Sequence, residues 1–204
     1  MRRSPSPSPL RPDLPAAADG LPPDAGAVLL PLARAAIAEA FGDRVPADDS
    51  APWLRAPGCC FVTLTTRGLL HGCIGSTEPR RPLLDDVRDN AVAAAVRDRR
   101  FPQLTRAELA ETRIEVSVLG PSVAFPVTDE ADARARLRPG VDGVVLLFAG
   151  RRATFLPQVW ERLSDPAEFL AHLKVKLGLP PTFWSDDLSL RRYTVTAFHE
   201  EERP

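Results

Sequence analysis

Residues 58–75 read GCCFVTLTTRGLLHGCIG. All three cysteines and one of the three histidines fall in this stretch. Two short β-prone apolar runs, CCFVTLT and LLHGCI, flank Thr66-Arg67-Gly68, and Gly68 supplies the positive φ that a tight hairpin turn requires. A two-residue Arg67-Gly68 loop sets Thr66 opposite Leu69, Leu64 opposite His71 and Val62 opposite Cys73. Side chains alternate along a strand, so Cys60, Val62, Leu64, His71 and Cys73 then share one face. Phe61, Thr63, Thr65, Leu70 and Ile74 take the other. Arg67 is a poorer first turn residue than Asn or Asp, which leaves a looser turn or a bulge as the alternative. A slip of one residue would undo the shared face. Gly72 is one side of Cys73 and Gly75 lies just beyond Ile74, so the thiol is approachable by a ligand or another backbone.

Working outward, residues 24–41 carry a helical stripe of Leu30, Ala33, Ile37 and Phe41 that stops at Gly42, with Pro31 marking a kink or the true start. Trp53 lies in a polar, proline-containing loop and is expected to pack back on the core. After the hairpin, Arg80-Arg81-Pro82 opens a second helix with Leu84, Val87, Ala91, Ala94 and Ala95 at helical spacing, ended by Phe101-Pro102. Thr105 and Glu108 form a capping box. In 114–119, Ile114, Val116 and Val118 point inward. Glu115 and Ser117 take the opposite face, where Glu115 either meets water or lines a cleft with Cys73.

The second half follows the same order. Thr128 is read as the cap of a short helix, a hairpin crosses Gly150, and Asp165 caps a helix carrying Phe169, Leu173 and Leu177. A last strand is expected over 193–198. Hairpin, helix and strand thus occur twice, over about 59–119 and 143–199. The expected fold is α+β, mainly antiparallel sheet with flanking helices, in two subdomains that look like a doubled hairpin–helix–strand unit. Residues 1–23, rich in Pro, Ser and Ala, read as a disordered tail ahead of one domain over 24–200.

Composition narrows the function classes. A formal charge of −1 over 204 residues gives no field for bulk capture of nucleic acid. No apolar run reaches membrane-spanning length, and the basic N-terminus lacks the apolar core of a secretory signal. Three cysteines, an odd number, make a poor disulfide framework and point to a reducing cytoplasm.

The segments LLHGCIG, NAVAAAVRDRRFPQLT, IEVSVL, GVDGVVL, TFLPQVW and FLAHLKVKLGLP occur in this order. Together they resemble the AmmeMemoRadiSam system protein A family, the AMMECR-type domain, over about residues 27–199. The resemblance implies an α+β fold of two subdomains and a working association with a Memo-like protein and a radical SAM protein; it implies no reaction. The family signature is usually Leu-Arg-Gly-Cys-Ile-Gly, and His71 stands here at the Arg position. If that Arg binds an anion in relatives, His71 does so only when protonated.

Cys73 is the leading candidate for chemistry, as a thiol nucleophile or redox-reactive cysteine with His71 as the local base; the bland alternative is a small hydrophobe in a strand. Cys60, His71 and Cys73 on one face would supply zinc-type ligands, but paired CxxC spacing is absent and no metal site is expected. Asn90, Arg100, Thr154 and Gln158 match strongly patterned positions of the family. Together with Glu115 and Ser117 they are the expected ligand-pocket residues, although each serves equally well as a cap or backbone brace. Gln158 follows Pro157 at a helix start, where exposed amides can hold an anion. His172 and His199 carry no chemical signal. The favoured reading is an accessory or small-ligand-binding protein with no cofactor of its own. The alternative is a cysteine-dependent enzyme acting on a small metabolite through Cys73.

Overall fold

The computed structural model describes residues 21–201, so most of the Pro/Ser-rich tail lies outside the described residues. The elements run α1 (Gly26–Ala40), β1 (Pro57–Gly58), β2 (Cys60–Thr66), β3 (Leu69–Gly75), β4 (Arg81–Pro82), α2 (Leu83–Val96), β5 (Thr112–Leu119) and β6 (Val123–Ala124). They continue as α3 (Glu130–Arg136), β7 (Gly143–Phe148), β8 (Arg151–Phe155), α4 (Pro166–Lys176), β9 (Ser189–Tyr193) and β10 (Val195–His199). Short 3-10 turns cover Pro52–Arg55, Glu108–Glu111 and Pro157–Glu161. Two antiparallel sheets of four strands result, in the orders β10-β5-β2-β3 and β6-β9-β7-β8.

The fold is α+β, and the doubled unit is visible in strand order. In each sheet a hairpin, β2–β3 or β7–β8, is followed by a helix and a strand that returns beside the hairpin's first member. The fourth strands are exchanged. β6 leaves β5 of the first sheet and pairs with β9, while β10 leaves β9 of the second sheet and pairs with β5. The last strand expected over 193–198 is therefore two strands in different sheets, broken at Thr194, whose carbonyl accepts a hydrogen bond from the Gly120 amide at 2.8 Å.

Helices α1 and α2 cover one face of the first sheet. Leu29, Leu32, Ile37, Val62, Leu64, Val87, Ala91, Ile114 and Val116 form its core. Leu21 and Trp53 pack against its margin. Helix α1 begins five residues before Pro31, so the proline is inside it, and Leu29 and Leu32 belong to the buried stripe in place of Leu30. A second core of Phe169, Leu170, Leu173, Leu146 and Trp160 fills the other half, with Trp160 stacked on Phe169 at 3.7 Å between centroids. Cys59, Leu119, Val145 and Tyr193, flanked by Phe61, Leu147 and Leu156, form a third cluster where the halves meet.

The reciprocal Thr105–Glu108 capping bonds are present, as is the Asp165 cap of α4. The cap of α3 is Asp129 instead of Thr128, its side chain accepting from the Asp132 amide. Two further corrections shape the site. Helix α2 starts at Leu83 and ends at Val96, five residues short of Phe101, which frees Asp98 and Arg100 to reach the sheet. The hairpin keeps Thr66 opposite Leu69, but a bulge between Leu64 and Thr65 leaves His71 unpaired. Beyond it Gly72 faces Leu64 and Cys73 faces Thr63. The slip exchanges the faces, so Cys73 lies across the sheet from Cys60, Val62 and Leu64 rather than beside them. The bulge has a packing reason. Gly72 must face the helix layer, because α2 sits on it so closely that a Cβ there would collide with the Ala94 carbonyl.

Candidate functional site

The register of the first sheet lines up one residue from each of its four strands. Cys73 on β3 faces Thr63 on β2, Thr63 faces Glu115 on β5, and Glu115 faces His199 on β10. All four lie on the face opposite the helices, because Cys60, Val62 and Leu64 occupy the helical side. The next row is Gly75, Phe61, Ser117 and Ala197. Phe61 lies over Gly75, where a Cβ would collide with its ring, and packs into the cluster between the halves. The polar row thus sits one pleat away from the junction, half-buried at Cys73, Thr63 and Glu115 and open at His199.

Its internal bonds are defined. The Thr63 hydroxyl donates to the Cys73 Sγ at 3.3 Å, and the buried Ser117 hydroxyl donates to Glu115 Oε1 at 2.7 Å. Glu115 Oε2 lies 3.3 Å from His199 Nδ1. Adjacent strands are ~4.8 Å apart, which puts Cys73 and His199 roughly 14 Å apart at the backbone. The thiol and this imidazole are therefore too distant for a nucleophile–base hydrogen bond.

The backbone of Cys73 points away from β2 and would be a bare edge. Asp98 and Arg100 cover it: Asp98 Oδ2 accepts the Cys73 amide at 3.0 Å, and Arg100 Nη2 donates to the Cys73 carbonyl at 2.7 Å. Arg100 also grips Asp98 with Nε and Nη2 at 2.9 and 2.7 Å. These bonds hold the Asp98 carboxyl far below its ordinary range, the Arg100 contact first among the causes. Arg100 is held more firmly charged by Asp98 and, to a smaller degree, by the neighbouring Cys73 side chain.

The structure gathers Cys73, Glu115, Ser117 and Arg100 at this face and separates the remaining candidates. His71 occupies the bulge, and its Nε2 is buried with no hydrogen-bond partner, so no bond joins it to Cys73. The zinc-type set does not assemble, because the register shift leaves Cys60 and Cys73 on opposite faces of the sheet, and no group of three His, Cys, Asp or Glu among the described residues has metal-holding geometry. Asn90 lies on the helical side in a buried network. Its Nδ2 donates to the Cys60 carbonyl at 3.1 Å and to Asp86 at 2.9 Å. Asp86 further accepts the Cys60 amide, the Ser76 hydroxyl and Arg81 Nε. Thr154 is spent inside the second sheet on the Val144 carbonyl and the Tyr193 hydroxyl. Gln158 is exposed on its 3-10 turn.

Burial pushes the Cys59 thiol up to about 12 and the Cys60 thiol well above its ordinary value, which silences both as nucleophiles. Sequence reasoning missed Asp86, Asp98 and His199. The first two read as ordinary helix charges, and His199 gains meaning only through the strand exchange that sets it beside Glu115.

This architecture, two exchanged antiparallel sheets with the GCIG hairpin at the edge of the first, defines an α+β domain of two interlocked halves. The AMMECR1 family model matches residues 30–198, and the chain belongs to that family. It is 38% identical over 184 residues to a Methanothermobacter thermautotrophicus protein, covering 87% of this chain and 95% of the relative. A Thermotoga maritima protein is 37% identical over 163 residues, 78% of this chain and 88% of its own. The crystal structure of an uncharacterised protein from Pyrococcus horikoshii shares the fold with a TM-score of 0.72 at 33% identity, covering 86% of this chain and 91% of that one.

Proposed function

We propose that the protein is a cytoplasmic accessory component that binds a small polar ligand on the row Cys73–Thr63–Glu115–His199 and works with a Memo-like protein and a radical SAM protein. The row carries the ligand-binding part of this reading. It presents a thiol, a hydroxyl, a carboxylate and an imidazole along one half-open strip, with the Ser117 hydroxyl orienting the carboxylate. The partnership rests on the likeness to the AmmeMemoRadiSam system protein A family. Co-purification of the full chain with a Memo-like protein and a radical SAM protein from the same organism, followed by native mass spectrometry, tests both parts. A co-purifying complex carrying a small molecule that is lost in Glu115→Gln is the expected result. Absence of any complex at micromolar concentrations would sink the partnership.

A second reading, a cysteine-dependent enzyme, is favoured by one contact: Arg100 Nη2 donates to the Cys73 carbonyl at 2.7 Å, which sets a guanidinium beside the residue that would act as the nucleophile. Mass-spectrometric alkylation rates separate the two. An enzyme requires Cys73 to label far ahead of its exposure, and Arg100→Ala to slow labelling by about tenfold or more. Under the accessory reading Arg100→Ala leaves the rate within about twofold.

A further inference from the structure

Among the described residues, strand β10 is an edge of the first sheet, and no other strand pairs with its outer side. The Glu200 amide donates to the Ile114 carbonyl at 3.1 Å and the Thr194 carbonyl accepts from Gly120, so the even-numbered residues address β5. In an antiparallel ladder the alternate residues turn both backbone groups away. Ala197 and His199 therefore present two N–H and two C=O groups outward. These groups look into a groove of about 680 Å³ that runs between β10 and the start of α1. Four consecutive residues, 197–200, line it. Side chains alternate between faces, so consecutive lining means that the strand's edge is itself a wall. The opposite side is apolar, formed by Leu30, Pro31, Val45 and Pro46, and Gly26 abuts the Phe198 ring to hold helix and strand together.

We propose that this groove captures an extended segment of a partner protein as a fifth strand on β10, with apolar side chains at alternate positions and a basic residue at the end beside Asp24. The spacing of the open backbone groups requires an extended chain, as in other strand-addition sites between an edge strand and a helix. Charge fixes the end. Arg34 and Glu200 neutralise each other at one side of the groove through a 2.7 Å bond, leaving the exposed carboxylate of Asp24 as the unbalanced charge among the described lining residues. The surface is separate from the small-ligand reading, because it uses the backbone of His199 and not its side chain.

Fluorescence anisotropy with a tagged, acetylated Lys-Val-Thr-Val-Thr peptide and the full chain tests the proposal, with backbone amide hydrogen exchange as the second measurement. The expected result is saturable binding accompanied by slowed exchange at Ala197 and His199. Ala197→Pro removes an outward N–H at an edge position that proline tolerates, so the ladder to β5 stays intact while binding weakens at least tenfold. Asp24→Lys weakens this peptide about fivefold and favours its Glu-Val-Thr-Val-Thr counterpart. Unchanged binding in Ala197→Pro, no binding at millimolar peptide, or binding without protection of the two amides would each overturn the proposal. Protection of both amides in the free chain at every protein concentration would assign the groove to the chain's own N-terminal segment. Protection that grows with concentration would assign it to a second copy. Either outcome also overturns the partner reading.

Discussion

Gly72 shows how one missing side chain directs the candidate site. With α2 seated on its Cα, Gly72 must face the helices, and Cys73 is thereby turned to the open face. Gly72→Ala inserts a methyl against backbone that has no rotamer to yield, so the expected loss is about 2–3 kcal/mol, the upper range for overpacking. Urea unfolding measures it, and a stability equal to wild type would mean that α2 moves aside freely. The carboxylate that holds Cys73 in place predicts a pH dependence. The folded-state pKa of Asp98 is depressed by Arg100 and the Cys73 amide, so its stabilising contribution is full above the unfolded value of ~3.9. It drains away as pH falls below that value toward the folded one. Asp98→Asn should lower the urea midpoint at pH 7 and flatten the decline between roughly pH 4 and pH 2. An identical acid limb in both proteins would remove Asp98 from the account.

At the level of elements, β3 is an edge strand whose middle is closed by a loop instead of another strand. Exposed edges invite pairing with other chains, and the Asp98–Arg100 clamp occupies both groups that Cys73 would otherwise offer. Arg100→Ala should therefore speed hydrogen exchange of the Cys73 amide by about tenfold while leaving Val62 and Ile74, inside the ladder, unchanged. Equal exchange at Cys73 would show that Asp98 suffices. This clamp was not legible in the sequence, for a physical reason. Residues 97–100 continue the polar, arginine-rich character of the α2 surface, and the visible stop signal, Phe101-Pro102, comes later than the true end. The hairpin itself was legible, as were the inward residues of β5 and the Asp165 cap, because alternation and capping are local properties. A bulge stood open as the alternative to the tight turn, but its place between Leu64 and Thr65 was not legible, since the pull that sets it comes from Ala94 on a different element.

At the level of the molecule, neither half completes its sheet from contiguous chain. The pattern repeat disclosed two units, but residue order alone could not show that β6 and β10 change sides, because each sits next in sequence to the sheet it leaves. The exchange pairs each half with a strand from the other, which predicts that the halves unfold together. β10 is further tied to the first half by Glu200, whose carboxylate accepts from Arg34 and the Ile114 amide, while Arg34 also donates to the Leu109 and Thr112 carbonyls. The tryptophans report the two sides separately: Trp53 borders the first core, Trp160 is buried in the second and Trp184 packs against it. Trp53→Phe leaves a probe of the second half, and Trp160→Phe with Trp184→Phe leaves a probe of the first. If the exchanged strands couple the halves, each variant should give fluorescence and circular-dichroism transitions at one shared urea midpoint. Arg34→Ala, introduced into either background, strips a partly buried carboxylate of its partner and two carbonyls of their donor, at a cost of about 2–3 kcal/mol. That loss should move both probes together, although Arg34 touches only the first half and its bound strand. A shift confined to the Trp53 signal, with the second half unfolding where it did before, would show that the halves fold independently and that the exchanged strands do not couple them.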